Sequence, residues 1–236
     1  MAQRIALAVT LAALFAGQPL AASTVSPDWA SWQGAVSSYT TVDFEGITTD
    51  FVSYSTSAGL TIGDVQFVGL SYNGGYQLYV VNSTAYPDHD FGSGSVLKGP
   101  GFVSGYSAIL RILLPAATTA LAFDLGTYDT ASSVYTISLN TGEQFTGIAV
   151  GARPDTYFFG VTSTVPLTQV DVLMTSGVSW ASYPILDNFA YGVASTGGGS
   201  PGGSPAQVPE AATFFFVGAG LICFWGWRRR TSEPSL

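Results

Sequence analysis

Between Thr40 and Val193 the chain runs in short apolar or alternating stretches broken by Gly, Asn, Asp and Pro, and no segment keeps a 3.6-residue apolar period for three turns. Alternation with period two, punctuated by turn residues, is the signature of strands. It predicts strands over 40–46, 60–70, 76–81, 107–115, 118–126, 134–140, 143–150, 156–162, 166–174 and 185–192, with Asn140, Thr141 and Gly142 closing a tight hairpin. About ten strands with no helices to carry parallel crossovers predict an all-β antiparallel sandwich over 40–194. The arm before it, 24–39, holds Trp29 and Trp32 and reads as either a short helix or an extended segment.

The two ends break the pattern in different ways. After Met1 come Arg4, a largely apolar run from Ile5 to Ala16, a break at Gly17, Gln18 and Pro19, and the small residues "AAST". That is the layout of a secretory signal over 1–23, with Ala21 and Ser23 satisfying the small-x-small rule for a cut after Ser23. At the other end, 195–207 ("STGGGSPGGSPAQ") contains nothing that can bury itself and predicts a flexible linker with a root-mean-square reach of roughly 20 Å. Ala211–Trp227 then runs without a charged side chain and ends in Arg228, Arg229 and Arg230. As a helix it would be roughly 25 Å long, a short membrane span. A core helix would keep polar residues along one face, which this one does not. The pattern therefore predicts a transmembrane helix over 211–227, with the arginines as a cytoplasmic anchor and everything before Val208 outside. Export through the secretory translocon is implied.

Charge sharpens the picture. The exported part, 24–208, has three basic residues (Lys98, Arg111, Arg153) against thirteen acidic ones, a net charge of −10, which excludes nucleic acid as a partner. The chain's single cysteine, Cys223, lies in the apolar tail, so the domain has no disulfide and is held by its core. Charged residues at 9% and aromatics at 14% of the chain are the reverse of a disordered composition.

The chemistry-bearing residues give few options. A Ser-His-Asp arrangement would have to use His89, the only histidine, which lies in the polar run "AYPDHDFGSG". Asp88, His89 and Asp90 read as a solvated turn; zinc would need further His or Cys ligands that the domain lacks. Calcium accepts oxygen ligands distant in sequence. Asp43 and Glu45, two apart on the first predicted strand, share a face, and Asp187 on the last would join them if those strands were neighbours. The plainer reading is that Asp43 and Glu45 face solvent on an edge strand. Thirteen acids offer many pairs for glycoside hydrolysis, and sequence singles out none. Tyr72, Tyr76, Tyr79 and Tyr86 surround two glycines in "GLSYNGGYQLYVVNSTAY", where rings on a strand face could stack on pyranose C–H faces or simply pack the core.

The tail, in the order Val208-Pro209-Glu210, apolar helix, arginine cluster, resembles the PEP-CTERM sorting signal of exported bacterial proteins, with Ala211 where the usual pattern has a second proline. The resemblance implies an exosortase substrate, cut near Pro209 and Glu210 by a membrane-embedded cysteine transpeptidase. The stretches "VDFEG", "ATTALAFDLGT", "YTISLNTGEQF", "FFGVTSTVPLTQV" and "ILDNFAYG" resemble ectodomains of that group and jelly-roll domains of the carbohydrate-binding kind. What this implies is a non-enzymatic structural or adhesive component of an exopolysaccharide or biofilm layer. A lectin-like carbohydrate-binding module and a polysaccharide-active hydrolase or lyase are the alternatives. No cofactor beyond a structural calcium is implied.

Overall fold

A computed structural model of the chain describes residues 22–55, 58–71, 78–92, 94–101, 108–176 and 182–195. The order is β1 (Ser23–Ser26), α1 (Trp29–Gly34), β2 (Val36–Val42), β3 (Phe51–Tyr54), β4 (Leu60–Ile62), β5 (Val65–Ser71), β6 (Leu78–Asn82), a 3₁₀ turn (Pro87–His89), β7 (Ser95–Lys98), β8 (Ala108–Leu113), β9 (Ala120–Thr127), β10 (Ser133–Leu139), β11 (Gln144–Val150), β12 (Thr156–Ser163), β13 (Gln169–Ser176) and β14 (Pro184–Ala194). The larger sheet runs β1-β12-β9-β14-β7-β6-β3, with β2 also on β14, and the smaller runs β11-β10-β13-β8-β5-β4. Every strand pair described is antiparallel. The predicted antiparallel sandwich is what forms.

The core lies between the sheets and follows directly from the alternation. In β9, "ALAFDLGT", Leu121, Phe123 and Leu125 point inward and join Leu110 and Ile112 of β8, Ile137 of β10 and Val172 of β13 in one buried cluster. Residues between them face the other way, so Ala120, Ala122, Asp124 and Gly126 form a row on the outer face of the larger sheet. β14 lies beside β9 and carries a bulge: Asp187 pairs with Asp124 and Ala190 with Ala122, and Asn188 takes φ 48° at the extra residue. The bulge lets Leu186 and Phe189, three apart, both enter the core while Ile185 and Ala190 face out.

Several boundaries differ from the sequence reading, for local reasons. The arm contains both alternatives: β1, and a one-and-a-half-turn helix started by Asp28, whose carboxylate accepts the Ser31 amide at 2.7 Å. Ser23 sits in β1 and donates its amide to Glu143 at 2.9 Å, so a cut after Ser23 would fall inside a paired strand. β2 stops at Val42, because the Asp43 carboxylate turns back to accept the Glu45 amide at 2.6 Å and Gly46 follows at φ 72°. Asp43 and Glu45 therefore stand in a turn and not on a strand face. The run 60–70 is a hairpin, β4–β5, turned at Gly63 (φ 58°). Contacts within the chain divide it between Gly198 and Gly199. No helix among the described residues is long and apolar enough to cross a membrane; the expected span Ala211–Trp227 lies outside them.

Candidate functional site

The outer face of the larger sheet is treated differently at its two ends. At one, α1 lies over the small residues Ala120, Ala122 and Ala190. Trp32 is fully buried, Trp29 meets it edge-on at 5.7 Å, and Phe158 packs against Trp29 at 5.0 Å. Gly160 makes the fit: a Cβ there would stand 3.1 Å from the Trp32 ring and 2.5 Å from Phe158. Both indole N–H groups are used, Trp32 to the Val161 carbonyl at 3.3 Å and Trp29 to the Asp124 carboxylate at 3.2 Å. Asp124 also accepts from the Asn188 amide at 2.8 Å, which ties the bulge to the helix at the middle of the face.

Beyond Asp124 the face is open. β3, β6 and β7 continue the alternation, sending Leu78, Val80 and Leu97 into the core and leaving Phe51, Tyr79, Val81 and Lys98 outside. Tyr79 pairs with Lys98, and Lys98 with Ile185, across neighbouring strands. The segment between β6 and β7 folds back over this surface through its 3₁₀ turn, and Phe91 lies on Gly126, where a Cβ would come within 2.7 Å of its ring. The result is a pocket of about 210 Å³ lined by Phe51, Tyr79, Val81, Tyr86, His89, Lys98 and Tyr183. Tyr86 stands edge-on to Phe51 at 5.9 Å and to His89 at 6.1 Å.

Lys98 is the centre of the pocket. Its ammonium lies 4.0 Å from the Tyr183 ring centroid, 4.3 Å from Tyr128 and 5.9 Å from Tyr79, a cage of three π faces that attract a cation. Burial pulls its pKa down to about 8, so it is charged at neutral pH. His89 stacks on Tyr128 at 4.3 Å with the rings 16° apart. It is 5% exposed, and neither ring nitrogen has a hydrogen-bond partner among the described residues. Burial first, then the charge of Lys98, depress its pKa to about 4, which keeps it neutral. Arg153, bridged to Asp88 at 3.3 Å, places its guanidinium 5.0 Å from the Tyr128 ring. The chain positions Arg153 by donating its amide to the Asp129 carbonyl at 2.9 Å.

Of the four tyrosines singled out in the sequence, Tyr79 and Tyr86 meet in this pocket; Tyr72 and Tyr76 lie outside the described residues. His89 was expected in a solvated turn and is instead buried, because the turn presses its ring onto Tyr128 while Asp88 and Asp90 stay exposed. Lys98, Tyr128, Tyr183 and Phe51 were not anticipated. The available signal was Lys98 itself, the chain's only lysine, in the otherwise apolar strand "SVLK". As for the acids, β2 and β14 are neighbours, Val42 pairing with Phe189. Asp43 and Asp187 thus approach the same stretch of this strand pair, while Glu45 turns away to accept the Ser95 amide at 2.5 Å. Asp187 is buried and accepts the Asn188 amide at 2.7 Å. Among the described residues no three His, Cys, Asp or Glu side chains form a group that could hold a metal ion.

The fold and its tail define an exported, surface-sorted β-sandwich protein. Residues 207–230 match the PEP-CTERM protein-sorting motif; Val208, Pro209, Glu210 and Arg228 to Arg230 fall within that match. Among solved structures, the chain is similar to a cleaved adhesin domain of Lys-gingipain (12% identity over 65% of this chain and 99% of that one, TM-score 0.42). It is also similar to a family 29 carbohydrate-binding module (11%, 65% and 89%, TM-score 0.34) and to TmCBM61 in complex with β-1,4-galactotriose (10%, 53% and 86%, TM-score 0.34). Comparison with curated proteins returns no match.

Proposed function

We propose that the domain is a non-enzymatic adhesive component of an extracellular polysaccharide layer, and that it holds polysaccharide in the aromatic pocket on the outer face of its larger sheet. In this reading an exosortase cuts near Pro209 and Glu210, the apolar segment 211–227 holds the chain in the membrane until then, and the sandwich is left at the cell surface. The carrying observation is the pocket: exposed or half-exposed rings of Phe51, Tyr79, Tyr86 and Tyr183 around a cation, on a face whose other end is sealed. Rings of this kind offer an apolar surface to pyranose C–H groups, and their hydroxyls reach sugar hydroxyls. Holding is favoured over cutting because glycoside hydrolysis needs two carboxyls facing each other across the cleft, whereas the lining is aromatic, aliphatic and basic.

Retention on extracellular polysaccharide from the producing cells tests this. Tyr79→Ala and Tyr183→Ala should each weaken retention roughly fivefold, about the value of one stacked ring, with the melting temperature within a few degrees of wild type. Unchanged retention in the double variant would sink the proposal, and release of sugar products over time would replace it with the enzymatic reading.

A further inference from the structure

We infer that the pocket selects an acidic sugar, a pyranose bearing a carboxylate, whose anion sits against Lys98; this rests on the polysaccharide-holding reading above. The first observation is how basic charge is distributed. The exported part has three basic residues and a net charge of −10. Arg111 is consumed on the smaller sheet by a two-pronged bond to Asp171 at 2.7 and 2.8 Å. The other two, from β7 and from the segment after β11, converge on one tyrosine ring, Tyr128.

The second observation is what Lys98 lacks. Among the described residues no carboxylate oxygen lies within 4.0 Å of its ammonium; the ion pairs found are Arg111–Asp171 and Arg153–Asp88. A half-buried ammonium compensated only by ring faces keeps unused donor capacity, since each N–H would gain by meeting a true acceptor. The third observation is independent of charge. Both His89 nitrogens are buried and without a partner among the described residues, and the residue lines the same pocket; an orphaned buried polar group is normally matched by something. A neutral imidazole offers one donor and one acceptor, which suits a sugar hydroxyl or a carboxylate oxygen beside Lys98. Arg153 is paired with Asp88, and Tyr86 with Asp50, which leaves the single positive charge of Lys98 as the one without a carboxylate partner among the described residues. That fits a monoanion, and a single carboxylate is the simplest one a pyranose carries.

The test uses the full chain in mild detergent on immobilised polygalacturonate, alginate and hyaluronate, each beside its carboxyl-reduced neutral form, with dextran sulfate beside dextran. At least one carboxylated polymer should bind about tenfold more tightly than its reduced form, the scale of one charge-assisted contact. Lys98→Met should erase that preference, bringing the acidic polymer to the level of its reduced form, and Lys98→Arg should keep most of it. Tyr79→Ala should weaken both forms alike. The preference should also fade from about pH 8 upward as Lys98 loses its proton. The groups that face it are the rings of Tyr79, Tyr128 and Tyr183, the His89 imidazole, which burial keeps neutral, and the Arg153–Asp88 pair. Equal binding of acidic and reduced polymers, or a preference that survives Lys98→Met, overturns the carboxylate while leaving the holding role intact. Preference for dextran sulfate alone overturns it in favour of a sulfate ester. Binding to none of the polymers overturns both proposals.

Discussion

The two ends of the outer sheet face are equally aromatic and opposite in kind. Under α1, Trp29, Trp32 and Phe158 rest on alanines and a glycine, and every indole N–H finds an oxygen. Beyond Asp124 the rings of Phe51, Tyr79, Tyr128 and Tyr183 surround a lysine without a counter-ion and a histidine without a hydrogen bond among the described residues. Aromatic content therefore does not separate core from site; polar satisfaction does. A finished core leaves no donor unanswered, and the open half leaves several.

Three perturbations bear on that contrast. The largest effect belongs to Trp32→Ala, which empties the covered half. With the side chain fully buried, unfolding free energy should drop by about 3–5 kcal/mol in a denaturant titration, while polysaccharide retention per folded molecule stays unchanged. Loss of retention at full folding would mean the halves are not separate.

Next is acid sensitivity. The folded pKa of His89, about 4, lies below its unfolded value of 6.5, so the unfolded chain takes up the proton first. Stability is complete above about pH 6.5 and falls as pH drops toward 4, with His89 contributing on the order of 2–3 kcal/mol. His89→Phe keeps a ring on Tyr128 and removes both nitrogens, so it should flatten that part of the pH–stability curve and make the open half resemble the covered one. An unchanged acid limb would show that His89 is not the group responsible.

The smallest effect is expected at the boundary. Asp43, Glu45 and Asp187 each already accept a backbone amide, so chelating divalent cations should shift the melting temperature by less than about 2 °C. A larger drop would place a structural calcium among these carboxylates.

What the sequence made legible follows from period. β9, β10, β11 and β12 lie within two residues of the expected runs, because Leu121, Phe123 and Leu125 alternate with small residues and no other structure hides that pattern as well. β1, β3 and β7 escaped notice: four residues each, they owe their existence to partners far along the chain. Turns chosen by a single side chain also escaped, as where Asp43 ends β2 four residues before the expected run does. The pocket was half legible for the same reason. Tyr79 and Tyr86 stand out in a tyrosine-rich run, but Tyr128 and Tyr183 reach Lys98 only because β9 and β14 are paired, Tyr128 donating its amide to the Tyr183 carbonyl at 2.9 Å. Register between distant strands is not written in either strand alone.

The position of β14 bears on how the molecule would carry load. Tyr183, a wall of the pocket, immediately precedes it, and Ser195, the first residue of the expected tether, immediately follows. A pull between a ligand in the pocket and the chain beyond Ser195 enters this strand at one end and leaves at the other, across 11 residues, roughly 36 Å. Along that length β9 is bonded to one edge, and β7 then β2 to the other. Force so applied shears many hydrogen bonds together instead of peeling them in turn, and resistance to forced unfolding is set by the rate of that event. In the proposed role, grip and anchor would be joined through the longest strand of the described residues.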